Sequence, residues 1–263
     1  SRWLHPKAAC LLNITPDHMD RYESVEDYVT TKARIFENQT AGDFALLNLD
    51  DAQVAGLSRG LRARVMAFSR TRPVGEGAFL DGDRVMVTIG GQTQEICRRG
   101  EIRIPGNHNL ANAMAAVTVG LLCGCPVEVI REVLRTFPGL EHALEIVRDH
   151  RGVRFVNDSK GTNVDATLKA LESFDTPILL IAGGRDKGGD FARLREPVLR
   201  RAKKVILIGE AAGRIREALG GCDRISGAGS LREAVELAAR EAAPGDIVLL
   251  SPACASFDMF ADY

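Results

Sequence analysis

Between residues 153 and 252, four short apolar runs, VRFVN, PILLIAGG, KVILIG and IVLLSP, alternate with helical patterning at 164–174, around 191–201, 211–219 and 230–243. Few folds accommodate that alternation. Parallel strands cannot be joined by a tight turn, so each connecting helix must pack back onto a sheet, which becomes buried on both faces. The spacing therefore predicts an α/β domain with a parallel sheet, whose ligands lie beyond the carboxyl ends of the strands. Three unusual clusters fall at those ends: DSKGTN at 158–163, GGRDKGGDF at 183–191 and SPACASFD at 251–258. Loops are polar in any protein, which offers a plainer account of the same clusters.

The segment VRFVNDSKGTNVDAT has a strand, a small-residue turn and a helix whose apolar face carries Val164, Leu168, Leu171 and Phe174. That is the frame of a phosphate-binding loop. The order of residues is wrong for a P-loop, which needs Gly-x-x-x-x-Gly-Lys-Ser/Thr, and the chain contains no Gly-Lys dipeptide.

The first half is less regular. ACLLNI is a strand candidate, Ser24 is placed to cap a helix over 24–37 with Asp27 at the capping-box position, and FALLN is a second strand candidate. Residues 78–104 alternate and are broken by Asp-Gly and Gly-Gly, which predicts antiparallel hairpins. PGNHNLANAMAAVTVGLLCG and PVEVIREVLRTF read as two helices, the second with Pro126 near its start. FPGL at 137–140 is turn chemistry, and the domain boundary is placed there: 1–139 and 140–263.

Thirty-four basic against thirty-five acidic residues give a net charge of −1, so there is no field for a polyanion and no nucleic-acid partner is expected. No apolar run reaches a membrane span and no signal-peptide pattern opens the chain, so no membrane partner is expected and the cytoplasm is the expected compartment. Six cysteines lack Cys-x-x-Cys or zinc spacing and are expected to be buried reduced thiols. The chain opens on Ser1 rather than Met and stops at Tyr263 within a polar segment, which suggests a fragment.

Four clusters have the composition for chemistry. In TPDHMDRY, 15–22, two aspartates flank His18 and could orient it near a cation; a solvated turn accounts for the same letters. Lys32 shares a helical stripe with Tyr28, Ile35 and Phe36, where a lysine ordinarily snorkels to water. The alternative is a lysine that loses its proton and reacts with carbon dioxide to become an anionic metal ligand. Asn109 and Asn112 lie one turn apart near a helix N-terminus, suited to a polar ring or phosphate, or simply to capping. Arg185 and Lys187 offer cations among glycines, and Ser251, Ser256 and Asp258 offer small polar groups after a strand. Without Gly-x-Ser-x-Gly or a partner histidine, a nucleophilic-serine hydrolase is disfavoured.

In this order, NITPDHMDRY, TTKARIFEN, IPGNHNLANAMAA, FVNDSKGTNVDAT, GGRDKGGDF and LLSPACASFDMF resemble the Mur ligases over nearly the whole chain. Within the family, NDSKGTN and SPACASFD resemble the branch that adds D-glutamate to UDP-N-acetylmuramoyl-L-alanine. The resemblance implies the later part of a central ATPase domain over 1–139 and a truncated Rossmann-like amino-acid-binding domain over 140–263. It also implies a UDP-binding domain, a P-loop and an acidic magnesium ligand that are not in this sequence. The implied activity is an ATP- and Mg2+-dependent amide ligation through an acyl phosphate, by a cytoplasmic monomer. By the same resemblance His18 belongs to the magnesium site, with Lys32 beside it as a carbamylated, anionic lysine. Asn109, Asn112, Asp158 and Lys160 correspond to nucleotide contacts, and Thr162, Lys187 and Ser256 to positions that hold D-glutamate. Tyr263 falls where the family commonly has an aromatic.

One departure stands out. After FPGLEH the family usually has an arginine on the nucleotide phosphates, whereas this chain has Ala143. Two other readings remain open: another Mur or folylpolyglutamate-type ligase, and a binding module that without a P-loop does not turn over ATP.

Overall fold

The computed structural model describes residues 3–15, 22–220 and 223–258. His18, Cys222 and Tyr263 lie outside the described residues. The chain divides into two compact units, Ser1–Ile104 with His108–Phe137, and Pro105–Asn107 with Pro138–Tyr263.

In the first unit the order is β1 (Ala8–Leu11), α1 (Val25–Ala33), β2 (Phe44–Asn48), α2 (Ala52–Gly56), β3 (Arg64–Ser69), β4 (Gly77–Asp81), β5 (Arg84–Ile89), β6 (Gln92–Arg98), α3 (Asn107–Leu122) and α4 (Val127–Thr136). These six strands form one sheet in sequence order, parallel from β1 to β4 and antiparallel from β4 to β6. The antiparallel part is the predicted pair of hairpins. Gly82 opens the first turn and Gly90-Gly91 make the second, all at positive φ, the conformation that matches the twist of a two-residue hairpin. Alternate side chains of β2 serve opposite faces: Leu46 packs with Met66, Phe68, Leu110, Met114 and Val117, while Ala45 and Leu47 pack with Tyr28, Phe36 and Val54.

Ser24 caps α1 as expected, accepting from the Asp27 N–H. The helix is shorter than 24–37, however. It tightens into a 3-10 turn over Arg34–Phe36, which brings Phe36 into the core. The cysteines also depart from expectation: Cys97 and Cys254 are buried, but Cys123 is exposed just past the end of α3.

The second unit contains β7 (Glu145–His150), β8 (Val153–Asn157), α5 (Val164–Glu172), β9 (Ile178–Gly183), α6 (Arg195–Arg201), β10 (Ala202–Ile208), α7 (Ala212–Ala218), β11 (Ile225–Gly227), α8 (Leu231–Glu241) and β12 (Ile247–Leu250). Its sheet order is β11-β10-β9-β12-β8-β7. The last strand inserts between β8 and β9, parallel to both, and the sheet is buried on both faces. Ile178, Leu180, Val205, Leu207 and Leu249 pack with residues of α5, α6 and α7, while Leu179, Ile181, Ile206, Ile208 and Val248 pack with Ala234 and Ala238 of α8.

The parallel sheet is as predicted, with one addition. β7 pairs antiparallel with β8 through a two-residue turn, Arg151-Gly152, both at positive φ. Its run EIVRDH lacks clean alternation because a register shift falls between Ile146 and Arg148, leaving Ile146 and Val147 exposed. Among the described residues, no helix is long and apolar enough to cross a membrane.

The contrast between β12 and β7 is testable by urea unfolding. Leu249→Ala in the central strand should cost ~3 kcal/mol, whereas Val147→Ala on the exposed edge should change stability by less than about 0.5 kcal/mol.

Candidate functional site

The polar clusters of the second unit emerge where the switch in strand order predicts a crevice, at the carboxyl ends of β8, β9 and β12. Backbone hydrogen bonds tie the three loops into one frame. The Ala253 N–H donates to the Gly161 carbonyl at 2.9 Å, the Gly183 N–H to Pro252 at 2.8 Å, and Arg185 and Ala255 exchange bonds of 2.7 and 3.0 Å. Glycine is required where the strands deliver the chain. Gly183 and Gly184 have φ of 123° and 130°, and a Cβ on them would overlap the carbonyls of Ile208 and Ala255 respectively.

Beneath this frame sits a buried polar cluster. Ser251 is inaccessible to solvent, and its hydroxyl donates to Asp158 Oδ2 at 2.7 Å while lying 3.0 Å from Thr167 Oγ1. Asp158 Oδ1 accepts from the Leu144 N–H at 3.2 Å. Gly161 closes over the cluster without a side chain, since a Cβ there would lie 2.5 Å from Asp158 Oδ2 and 2.8 Å from Ser251 Oγ. Asp158 is therefore turned inward, 7% exposed, rather than presented to a nucleotide. Burial pushes its carboxyl up to about 6, against the opposing pull of the bonds from Ser251 and Leu144.

The neighbouring Lys160 and Thr162 stand at the surface of the same loop, the lysine exposed and the threonine half-buried. The segment that carries Ala143 is strapped onto this loop. The Lys160 N–H donates to the His142 carbonyl at 3.0 Å, and Asn157 Nδ2 lies 2.9 Å from His142 Nδ1. His142 and Leu144 both have positive φ, so Ala143 sits between two left-handed residues. The pattern of the sequence did not single out this strap or Thr167, because their partners lie far along the chain.

Around GGRDKGGDF, Asp186 Oδ1 accepts from the Gly188 and Gly189 N–H groups at 2.8 and 2.9 Å, which fixes the turn carrying Lys187. Lys187 is exposed and Ser256 half-buried, so both side chains are available beside the crevice. Ser251 is not available, because its hydroxyl is consumed internally. Cys254, its thiol pushed up to about 12 by burial, is no thiolate nucleophile.

In the first unit, Asn112 Nδ2 donates to Asn109 Oδ1 at 3.4 Å, both half-buried on the first turns of α3. The pair brings two side-chain amides together at the start of the helix, each a group with both donor and acceptor atoms. Lys32 is exposed, its ammonium 5.2 Å from the centroid of the Tyr28 ring, which itself meets Tyr22 edge-on at 4.8 Å. A cavity of about 280 Å3 lies beside it, lined by Leu4, Thr31, Lys32, Arg34 and Ile35. Among the described residues, no group of three or more His, Cys, Asp and Glu could hold a metal ion.

Two family descriptions match the chain: the Mur ligase middle domain over residues 1–120 and the Mur ligase glutamate ligase domain over 144–254. Curated relatives include the UDP-N-acetylmuramoylalanine–D-glutamate ligases of Pelotomaculum thermopropionicum, 48% identical over 260 residues, and Trichlorobacter lovleyi, 49% identical over 258. In both cases the match takes in 98% of this chain and 57% of the relative. The chain thus spans somewhat over half the length of these relatives. Among solved structures, MurF from Acinetobacter baumannii superposes with a TM-score of 0.69 at 18% identity, over 93% of this chain and 56% of that one. MurF from Thermotoga maritima in complex with ADP gives 0.69 at 17% identity, over 93% and 58%. At such identities these two speak to the fold alone.

The buried carboxylate makes a prediction about pH. Its pKa is about 6 in the folded chain against 3.8 for the free side chain, so the native state binds more protons across that window. Its contribution to stability is greatest below about pH 4 and declines as pH rises to 6. Asp158→Asn removes the titration. The stability of the natural chain minus that of the variant, from urea curves, should fall by ~2–3 kcal/mol between pH 4 and 7.

Proposed function

Because the chain belongs to the Mur ligase family, we propose that the protein it represents is the ATP-dependent ligase that joins D-glutamate to UDP-N-acetylmuramoyl-L-alanine. The observation that carries this reading is identity of 48–49% to D-glutamate ligases along 98% of the chain, a span that includes all three loops of the crevice. A sister activity on another amino acid is less well supported, since the relatives matched at this level are named for D-glutamate.

In this reading residues 1–139 are the later part of the central ATP-binding domain and 140–263 the amino-acid-binding domain. The enzyme works as a cytoplasmic monomer, without nucleic-acid or membrane partners. ATP, when bound, supplies the phosphoryl group that converts the L-alanyl carboxylate into an acyl phosphate. Asn109 and Asn112 hold the adenine edge, and Lys160 places a positive charge against phosphate oxygens, where it stabilises charge gathering during transfer. Asp158 supports that loop from beneath.

D-Glutamate carries two carboxylates and one reacting amine. Lys187 neutralises a carboxylate, and the hydroxyls of Thr162 and Ser256 fix its orientation with neutral donors. Tyr263 is assigned to substrate binding in the same reading. The amine lone pair then attacks the activated carbonyl, the bond to the phosphate oxygen breaks, and the amine gives up its proton. His18 and Lys32 form the magnesium-side group. Lys32 acts there as a carbamate: the ammonium gives up one proton, and the resulting neutral amine adds carbon dioxide, forming a nitrogen–carbon bond and releasing a second proton, so that a cation is exchanged for an anion.

The test is phosphate release with UDP-N-acetylmuramoyl-L-alanine, D-glutamate, ATP and magnesium, run on the full-length protein and on this chain. Turnover is expected from the full-length protein alone, since these 263 residues contain no Gly-Lys phosphate loop. Phosphate release by this chain would sink that reading. For Lys32, the full-length Lys32→Ala variant should lose at least about a hundredfold in kcat and regain part of it with added formate or acetate. Normal rates in that variant would remove the carbamate assignment.

A further inference from the structure

The loop that carries Lys187 also carries Arg185 and Asp186, and it is gripped by the segment joining β10 to α7. The Ala211 N–H donates to the Gly184 carbonyl at 2.8 Å, and Arg185 pairs with Glu210 at 3.5 Å. Glu210 is held in turn, its N–H donating to Asp258 Oδ2 at 2.8 Å. Arg214, in the first turn of α7, forms an ion pair with Asp186 Oδ2 and lies over the Phe191 ring at 5.5 Å. Asp186 is thus saturated. One oxygen accepts from the two glycine N–H groups of the turn, the other meets Arg214, and the side chain is only 14% exposed.

Two of the three cations in this cluster, Arg185 and Arg214, are therefore spent on carboxylates. Lys187 forms no ion pair among the described residues. Its charge remains available for an anionic substrate, but only where the turn puts it. A planar guanidinium, braced on an aromatic face and directed at the carboxylate that closes the turn, is suited to setting that position. We propose that Arg214 is a positioning residue that acts through Asp186 to hold Lys187 against the amino-acid substrate. This rests on the reading of Lys187 as a D-glutamate contact.

In full-length protein, Arg214→Met should raise KM for D-glutamate about three- to tenfold while kcat and KM for ATP stay within about twofold. Arg214→Lys should restore part of the loss, and the melting temperature should be unchanged, because the Arg214 side chain is 61% exposed. Lys187→Ala should raise the same KM further, and adding Arg214→Met to it should have little additional effect, since the arginine acts only through the lysine. If Arg214→Met leaves the D-glutamate KM unchanged while Lys187→Ala raises it, the proposal is overturned and the reading of Lys187 stands. If Lys187→Ala leaves D-glutamate dependence unaltered, both are lost. Equal losses toward all substrates, or a fall in melting temperature matched by kcat, would mark a purely structural role and also overturn the proposal. Should Arg214→Met fail to fold, Asp186→Asn keeps an acceptor for the glycine N–H groups, removes the ion pair and gives the same readout.

Discussion

The hydrogen bond from Ser251 to Asp158 joins the ends of two neighbouring strands at the point where the chain returns to the middle of its sheet. A carboxylate so placed costs desolvation, and the cluster offsets that cost only while each partner stays in register. The backbone bonds around Gly161, Gly183 and Arg185 then extend the same frame outward to the surface residues. Buried polarity thus holds the loops, and exposed polarity is left over for ligands. The division of labour explains why adjacent residues such as Asp158 and Lys160 face different environments.

Much of this was legible from the letters. Runs such as ILLIAG are apolar throughout because β9 is covered on both faces, and the helices between the runs revealed the parallel sheet. β7 was not legible. An edge strand with solvent on its residues has no burial to impose alternation, and a bulge broke what pattern remained. The 3-10 end of α1 was missed for a related reason: periodicity locates Phe36 on a face but does not report a tightened last turn.

The candidate residues divide along the same line. Short-range chemistry was readable: Ser24 at its cap, the Gly-rich turn around Lys187 and the paired amides Asn109 and Asn112 all lie within a few residues of what they contact. Long-range chemistry was not. Ser251 stands out in the letters as a small polar group after a strand, yet its partners lie 93 and 84 residues away and consume it internally. Asp186 with Arg214 and Asn157 with His142 are the same kind of contact, set by topology rather than by spacing.

The exposed edge strand has one more consequence. β7 ends the sheet with a row of backbone groups that no strand covers among the described residues, and Ile146 and Val147 sit on it in the open. Such an edge invites a second chain to dock and propagate. Here the shifted register beside Val147 interrupts the ladder, and Arg148 and Asp149 follow immediately with charges that a stacked neighbour would have to bury. The irregularity that hid the strand from pattern reading also guards the molecule against sticking to copies of itself.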